Sequence, residues 1–386
     1  MQNTNSDNIL KFAQKNIFPT LLERDQKSYF DLILFQETVS SISLSRSPSK
    51  SSSDFEFILN SFYNLGLGGL DIPFSVSIVA QFISICILKE FGSDDQKLTY
   101  MNKLENGEKL ASIANSEISG GTDIRSMQSN IVVLNDKYYL NAYKPCVTNC
   151  PADLIFLSTW IGNENKRMEV LILPAENLKQ ELKSTEIFGF QTGLTGSCLA
   201  TNLELNYPSV RLGNQFDGFK ILKYSFDLER LLISCVLAGA LEKVLNLSVE
   251  YIQNRKSFSK NLVDHQHIQE KIVRIYNAKH TIKTLIDYIK INCESLSINN
   301  IRNFDMELSH LKYFAVEQSF LAFTEFFELM GHSAVRVDHI AQKLLRDTSL
   351  LKFLGGTKEL QKQFILNNLI DQSGAKNEKR RSPKTA

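Results

Sequence analysis

The 386-residue sequence lacks an excess of charge of either sign, since 43 Lys and Arg residues stand against 42 Asp and Glu residues. A formal net charge of +1 gives no global attraction to nucleic acid or to an anionic membrane surface. We therefore expect no nucleic-acid partner. The apolar fraction of 43% is ordinary for a globular protein with sizeable cores, so most of the chain is expected to fold.

Cysteine is scarce, and only Cys146 and Cys150 among the six lie close together in sequence. A second pair that would complete a metal site is missing, and the histidines form no ligand set with a carboxylate. The sequence therefore predicts no metal. Because no charged-then-apolar leader opens the chain, we expect a reducing, cytoplasmic setting.

Long apolar runs are missing as well. The longest, Phe74 to Leu88, is interrupted by Ser75, Ser77, Gln81 and Ser84. Because this run is short for a bilayer, the sequence predicts a buried helix and no membrane span.

The hydrophobic period changes twice along the chain and predicts an α+β fold. Helical spacing in residues 1–108 indicates an N-terminal helical domain, and β-branched runs in 109–214 indicate a central β-domain of antiparallel strands. Helical spacing returns over 215–371, as a helical bundle requires, and 372–386 resembles a disordered tail. The predicted helices are 9–18, 28–41, 54–65, 75–91, 228–254, 265–292, 304–330 and 358–370, and the predicted strands are 131–134, 138–142, 154–160, 170–173 and 199–205.

Separated short segments carry the strongest functional signal. They are SEISGGTD at 116–123, PCVTN at 145–149, DLER at 227–230, RKSF at 255–258, and LRD at 345–347 followed by GGT at 355–357. Their shared order and spacing resemble the acyl-CoA dehydrogenase family over roughly residues 10–371. The resemblance implies FAD, bound between a β-barrel-like central domain and a C-terminal four-helix bundle.

The glycine-rich segment resembles the family's flavin loop. Glycine lets backbone N–H groups approach a ligand closely, and Gly121 is therefore a candidate cofactor contact. The hydroxyls of Ser116 and Thr122 are candidates for the flavin edge or a phosphate. A plain turn is the alternative reading of this loop taken alone.

The PCVTN segment resembles a strand element that faces the flavin ring in the family. The resemblance implies that the Thr148 hydroxyl bonds the ring nitrogen that accepts hydride. Cys146 stands where the family has an aromatic side chain stacked on the isoalloxazine, and a thiol cannot stack in that way. We favour a half-buried strand cysteine over a redox role for Cys146.

The catalytic base is the sharpest question that the sequence allows. Most family members carry it in a Glu-Gly-Thr element, where this chain has Gly355, but isovaleryl- and long-chain-type enzymes carry it in a Glu-Arg pair. Glu229 and Arg230 match that pair, which predicts Glu229 as the base and Arg230 as a substrate contact. The backbone N–H of Gly355 is a candidate donor to the thioester carbonyl. In the alternative reading, Asp227 caps a helix and Glu229 only complements its dipole.

Four more residues are implied as cofactor contacts. Arg255 and Phe258 correspond to a segment that reaches the pyrophosphate of a flavin bound mainly by another subunit, and a guanidinium suits phosphate. Glu328 replaces the usual glutamine near that site, and Thr357 is retained. For Arg255, and for the retained Arg346, a surface salt bridge is the alternative reading.

Together these features predict an FAD-dependent dehydrogenase of an acyl thioester, in which Glu229 removes the α-proton and the flavin accepts the β-hydride. The substrate carrier is CoA or an acyl carrier protein, the latter as a dehydrogenase or oxidase of a biosynthetic line. The electron acceptor is an electron-transfer flavoprotein or oxygen, and a homodimer or homotetramer is expected. A flavin monooxygenase and a non-catalytic binding relative remain alternatives. The Ser-rich segment 45–54 departs from the family where it shapes the acyl pocket.

Overall fold

The N-terminal part of the chain is helical. The computed structural model describes residues 5–42, 52–162, 166–183 and 187–372, so the predicted tail beyond 372 and most of the Ser-rich segment lie outside the described residues. The helices are α1 (Asn5–Phe12), α2 (Leu21–Gln26), α3 (Leu32–Ile42), α4 (Ser52–Gly69), α5 (Ile72–Phe91) and α6 (Asp94–Glu105).

Three of these helices differ from the sequence prediction. The single helix expected over 9–18 changes to a π-helix at Ala13–Ile17 and a 3₁₀ turn at Phe18–Thr20, because Pro19 cannot donate to an α-helical ladder. Helices α2 and α6 were missed, although Ser93 and Gln96 form a reciprocal capping box at the start of α6.

Helix α5 contains the longest apolar run of the sequence. With 20 residues it is long enough to cross a bilayer, so the argument from short length was wrong. The prediction of a buried helix is confirmed, because 94% of its apolar window is buried inside the protein. The other apolar helix of spanning length, Gly218–Asn254, is also mostly buried.

The central part is a seven-stranded sheet. Its strands are β1 (Ala111–Ala114), β2 (Asn130–Leu134), β3 (Lys137–Thr148), β4 (Leu154–Ile161), β5 (Arg167–Pro174), β6 (Lys179–Leu182) and β7 (Thr195–Leu205). The order is β1-β4-β2-β3-β7-β6, and β5 pairs with β4. Most pairs are antiparallel as predicted, but β1 and β2 both run parallel to β4, so the sheet is mixed.

Strands β4 and β5 are buried on both faces, which explains their uninterrupted apolar runs at 154–157 and 170–173. Phe156 and Val170 pack against the helices, whereas Leu157 and Leu171 belong to a separate core on the other side of the sheet. The sheet is therefore held between two cores.

The C-terminal part is a helical bundle built around one long helix. Its helices are α7 (Gly218–Asn254), α8 (Gln266–Asn292), α9 (Ile298–Ile301), α10 (Asp305–Met330), α11 (Ile340–Leu351) and α12 (Lys358–Gln372), with a small hairpin of β8 (Lys256–Ser257) and β9 (Lys260–Asn261) after α7. Helix α7 packs against α4, α5, α8 and α10. The boundaries predicted near 108 and 214 stay predictions, and they fall in the connections between these three parts.

Helix α7 lies very close to α4. A Cβ added to Gly66 would come within 2.0 Å of the Val236 carbonyl oxygen, and one added to Gly239 within 1.9 Å of the Tyr63 carbonyl oxygen. Only glycine permits such an approach of the two backbones. This crossing fixes α7, and with it every side chain that α7 carries, against the N-terminal helices.

A buried set of charges joins the N-terminal helices to α11. Lys343 lies 2.5 Å from Asp347, 3.4 Å from Asp71 and 3.7 Å from Asp25. Arg24 pairs with Asp71 at 2.8 Å. Arg346 pairs with the buried Asp25 at 2.6 Å, so its alternative reading as a surface salt bridge was wrong. We call these six residues the α11 charge network.

Candidate active site

Glu229 lies in the fourth turn of α7, since this helix begins at Gly218. The alternative reading, in which Asp227 caps the helix and Glu229 sits in its first turn, was therefore wrong. The long N-terminal extension was not visible in the sequence, because residues 218–226 mix lysine, serine and aromatic residues. Glu229 is half-buried between Leu228 and Leu231, which are both fully buried.

Gly355 lies directly beside the Glu229 carboxyl group. A Cβ added to Gly355 would lie 3.4 Å from Glu229 Cδ and 3.5 Å from Oε2. The structure thus brings together two positions that are 126 residues apart in sequence (355 − 229 = 126). A glutamate at 355 and a glutamate at 229 would direct their carboxylates into one region. This proximity gives a physical reason why a chain with glutamate at 229 can have glycine at 355.

The turn at Gly355 and Gly356 is held by side chains from three helices. Both glycines have positive φ, +63° and +89°, which other residues adopt only with strain. The Gly355 carbonyl accepts hydrogen bonds from Arg230 Nε at 3.4 Å and from Gln361 Nε2 at 2.9 Å. The Gly356 carbonyl accepts one from Lys312 Nζ at 2.7 Å.

Lys312 on α10 is a site residue that the sequence reasoning missed. Its side chain is almost fully buried, and a buried lysine is rare unless it has a partner. The signal in the sequence was a lone lysine between Leu311 and Phe314 in an otherwise apolar helical stretch.

Arg230 is oriented by a buried acid. Its Nη1 lies 2.9 Å from Asp227 Oδ1 and 3.4 Å from Ser309 Oγ on α10. Asp227 also pairs with Lys223 at 3.0 Å, and Lys223 bonds Asp305. The guanidinium is thereby held between Asp227 and the Gly355 turn.

The titration behaviour of this group follows from burial. Burial raises the pKa of the Glu229 carboxyl, and the positive charges of Lys312 and Arg230 lower it again in part. Burial lowers the pKa of the Lys312 ammonium to about 8, against the opposing influence of Glu229. Burial likewise raises the pKa of Asp227 to about 6, although Arg230 and Lys223 favour its ionised form.

The described residues donate no hydrogen bond to the Glu229 carboxylate, so its lone pairs are available to a proton. A carboxylate whose pKa is shifted toward neutrality by an apolar environment is suited to general-base work.

Strand β3 presents Cys146 and Thr148 on one side. Between Lys144 and Val147 the pairing with β7 shifts by one residue, which is the mark of a β-bulge. The bulge leaves Cys146 exposed and Thr148 half-buried on one face, with Val147 buried on the other. Neighbouring atoms partly enclose the sulfur and raise the pKa of the Cys146 thiol, although the side chain reaches solvent, so it is not an activated thiolate.

The glycine-rich loop is anchored by a buried ion pair. Lys144 Nζ lies 2.8 Å from Glu117 Oε1, and the Glu117 carboxylate also accepts backbone N–H groups from Gln128 and Ser129. The buried Glu117 carboxylate therefore holds the loop backbone against the β-sheet. The sequence analysis assigned no role to Glu117 or Lys144.

The predicted contacts on this loop all face outward. Ser116, Gly121 and Thr122 are exposed, and a Cβ added to Gly121 would meet only the Glu117 carbonyl oxygen, at 4.0 Å. The surface above Gly121 is open.

The remaining predicted cofactor contacts lie in two other places. Arg255 ends α7 as an exposed residue, and Phe258, 92% exposed, forms the tip of the β8–β9 hairpin. Glu328, exposed near the end of α10, pairs with the half-buried Lys271. Thr357 caps α12 through a 3.4 Å bond from the Leu360 N–H. The described chain does not bring Arg255, Phe258 and Glu328 to the Glu229 site.

A cavity of about 420 Å³ opens at the corner between α7, α9 and α10. Its lining includes Lys220, Lys223, Arg302 and the two acids Asp227 and Asp305. Asp227, which lines this cavity, also pairs with Arg230, although Glu229, Arg230 and Gly355 are not among the lining residues.

Residues 217–370 match the family model described as acyl-CoA dehydrogenase, C-terminal domain. The C-terminal bundle is therefore similar to the C-terminal domain of acyl-CoA dehydrogenases. The chain is also 24% identical over 298 residues to mitochondrial isovaleryl-CoA dehydrogenase of Oryza sativa subsp. japonica, covering 75% of this chain and 71% of that protein.

Two solved structures extend the likeness to the whole fold. The prolyl acyl carrier protein oxidase AnaB superposes with a TM-score of 0.85 at 23% identity, covering 95% of this chain and 97% of that one. PigA with FAD and proline superposes with a TM-score of 0.84 at 18% identity, covering 96% and 98%. The family resemblance and the acyl-CoA dehydrogenase fold predicted from the sequence are confirmed.

Proposed function

We propose that the protein is an FAD-dependent dehydrogenase of acyl thioesters and that Glu229 is its base. The observation that carries the proposal is the position of Glu229 beside Gly355, where its carboxylate receives no hydrogen bond from the described residues. That carboxylate is partly enclosed and has a raised pKa, as a base for a weakly acidic α-proton requires. Isovaleryl-CoA dehydrogenase, a relative of this chain, acts by its name on a CoA thioester.

The chain's own residues fit a flavin on the face formed by β3 and the glycine-rich loop. The open surface above Gly121 admits a ligand close to the backbone, and the bulge directs Thr148 to the same side as Cys146. We assign Ser116, Gly121, Thr122, Cys146 and Thr148 to the flavin of the same subunit. Bound there, FAD would supply the two-electron acceptor for the β-hydrogen.

Arg255, Phe258, Glu328 and Thr357 complete the proposed set of cofactor contacts. Arg255, Phe258 and Glu328 lie away from the Glu229 site, so we assign them to the flavin of a second subunit in a homodimer or homotetramer. The exposure of Phe258 agrees with burial by a neighbour, because an apolar side chain that is 92% exposed gains by being covered.

The proton is handled by residues from one helix and one turn. Glu229 accepts the α-proton, and Arg230 on the same helix donates to the Gly355 carbonyl. The Gly355 N–H is proposed as a donor to the thioester carbonyl, where negative charge develops as the proton leaves.

The thioester arm is proposed to enter through the α7–α9–α10 cavity. Lys220 and Arg302 supply positive charge at its wall, which suits the phosphate of a phosphopantetheine arm, whereas Lys223 is paired with Asp227 and Asp305. CoA and acyl carrier proteins both carry that arm, and the AnaB likeness favours testing the carrier-protein form as a second candidate. An electron-transfer flavoprotein or oxygen would then reoxidise the flavin.

The proposal is tested by the visible spectrum of the purified protein, titrated without oxygen with saturated acyl-CoAs and with acylated carrier proteins. We expect one class to bleach an oxidised-flavin band in the wild type, and Glu229→Gln to abolish that bleaching while keeping the band. Glu242→Gln, which removes a carboxylate of α7 that pairs with Lys279, is the matched control and should bleach normally. A colourless protein that cannot be reconstituted with FAD would refute the proposal.

A further inference from the structure

Lys312 contacts the turn that faces the base. Its Nζ donates to the Gly356 carbonyl at 2.7 Å, and the neighbouring Gly355 lies against the Glu229 carboxyl group. Lys312 has a buried side chain on α10, so its charge is shielded little by water. One side chain therefore connects α10, the glycine turn and the environment of the base.

We propose that Lys312 is a positioning residue for Glu229: it holds the Gly355–Gly356 turn against the carboxyl group and supplies positive charge that favours the ionised base. The inference rests on the proposed function of Glu229. Arg230 does not replace Lys312, because its guanidinium is already paired with Asp227 at 2.9 Å.

Charged groups from three helices influence Glu229 and Lys312. Glu229 is influenced by Lys312 from α10 and by Arg230 from its own helix. Lys312 is influenced by Glu229, Arg230, Glu317 and Glu359. Glu317 and Glu359 stabilise the ammonium form of Lys312, while burial and Arg230 oppose it. At neutral pH the lysine therefore stays mostly charged, since its pKa of about 8 lies above 7.

The test compares Lys312→Met and Lys312→Arg in the holoenzyme, with the rate of anaerobic flavin bleaching followed against pH. The probe is the acyl-CoA or acylated carrier protein that the wild type accepts. Removing a nearby positive charge raises the pKa of a carboxyl by about one unit or more. We expect the acid limb of the Lys312→Met profile to move up by about one pH unit, with roughly tenfold slower bleaching on that limb and a near-normal rate at high pH.

Lys312→Arg should return the midpoint of the acid limb toward the wild-type pH, because it restores the positive charge. Lys283→Met, which removes a bundle lysine paired with Asp287, is the matched control and should leave the midpoint unchanged. Equal slowing of Lys312→Met at every pH would overturn the proposal, since a merely structural role predicts that result.

A second readout needs no turnover and separates this proposal from the proposed function. The difference in unfolding free energy between the wild type and Glu229→Gln, followed against pH, reports the pKa of Glu229 in the folded protein. In the Lys312→Met background, we expect the pH at which this difference changes to be higher. If no thioester bleaches the flavin, this shift still tests the coupling, and its absence would contradict it.

Discussion

The charges around Glu229 and those of the α11 charge network are both buried, but they are paired in different ways. In the network, each of Lys343, Arg24 and Arg346 directly contacts an aspartate. At the candidate site, Lys312 bonds a backbone carbonyl, and the described residues leave the Glu229 carboxylate without a direct partner. A balanced network suits a structural joint, whereas an unpaired carboxylate suits proton transfer.

One carboxylate from each region titrates in the opposite direction. Burial opposes ionisation of Asp71, but Lys343 and Arg24 hold the pKa of its carboxyl below the usual range. For Glu229, burial prevails over the influence of Lys312 and Arg230, and the pKa of its carboxyl is raised. The sign of the shift does not by itself separate the regions, because burial also raises the pKa of Asp347 in the network against the opposing influence of Lys343. The direct ion pairs make the difference between them.

The largest stability effect is expected in the α11 charge network. Lys343→Met leaves Asp347, Asp71 and Asp25 without their shared cation, and breaking a buried pair costs about 3–5 kcal/mol of unfolding free energy. Chemical denaturation measures this loss. Lys27→Met, which removes an exposed pair with Glu23, is the control and should cost no more than about 1 kcal/mol. Similar losses in both variants would remove the distinction between the two regions.

A transplanted carboxylate tests the geometry of the site. In a Glu229→Gln background, Gly355→Glu would place a new carboxylate beside the position of the former one. We expect this double variant to bleach the flavin about tenfold or more faster than Glu229→Gln alone. The positive φ of residue 355 costs about 1–2 kcal/mol with a side chain, so full recovery is not expected.

Gly356→Glu in the same background is the matched control for that variant. Its Cβ would meet Gln361 Nε2 at 2.8 Å and points to a different neighbour from Gly355. Equal recovery in both variants would show that any carboxylate near the turn suffices.

A smaller effect is expected in the pH dependence of stability. Because the pKa of Glu229 is raised on folding, its contribution is fully present below the unfolded pKa and is lost as pH rises through the folded value. The Glu229→Gln variant lacks this loss, so it should gain stability relative to the wild type as pH rises through that window. Urea denaturation at several pH values measures the difference. A difference that stays constant with pH would mean that folding does not shift the pKa of Glu229.

The sequence predicted the order of helices, sheet and bundle because hydrophobic period is a local property. It also identified Glu229 and Gly355 as candidate site residues, since each lies in a recognisable short segment, and their roles stay predictions. It missed the sheet's parallel pairings, because β1 and β2 pair with β4 across loops that carry no signal of direction. Lys312 was missed for a similar reason, since its contact with Gly356 joins residues 44 positions apart.

Exchange of the substrate's α-hydrogen tests the central claim most directly, because it isolates proton removal from the redox step. A thioester with sulfur in place of its β-carbon has no β-hydrogen to lose as hydride, but its α-hydrogens can still exchange with D₂O. We predict that the holoenzyme catalyses this exchange, as followed by mass spectrometry, and that Glu229→Gln slows it by about a hundredfold or more while Glu242→Gln does not. Exchange at the wild-type rate in Glu229→Gln would show that Glu229 is not the base.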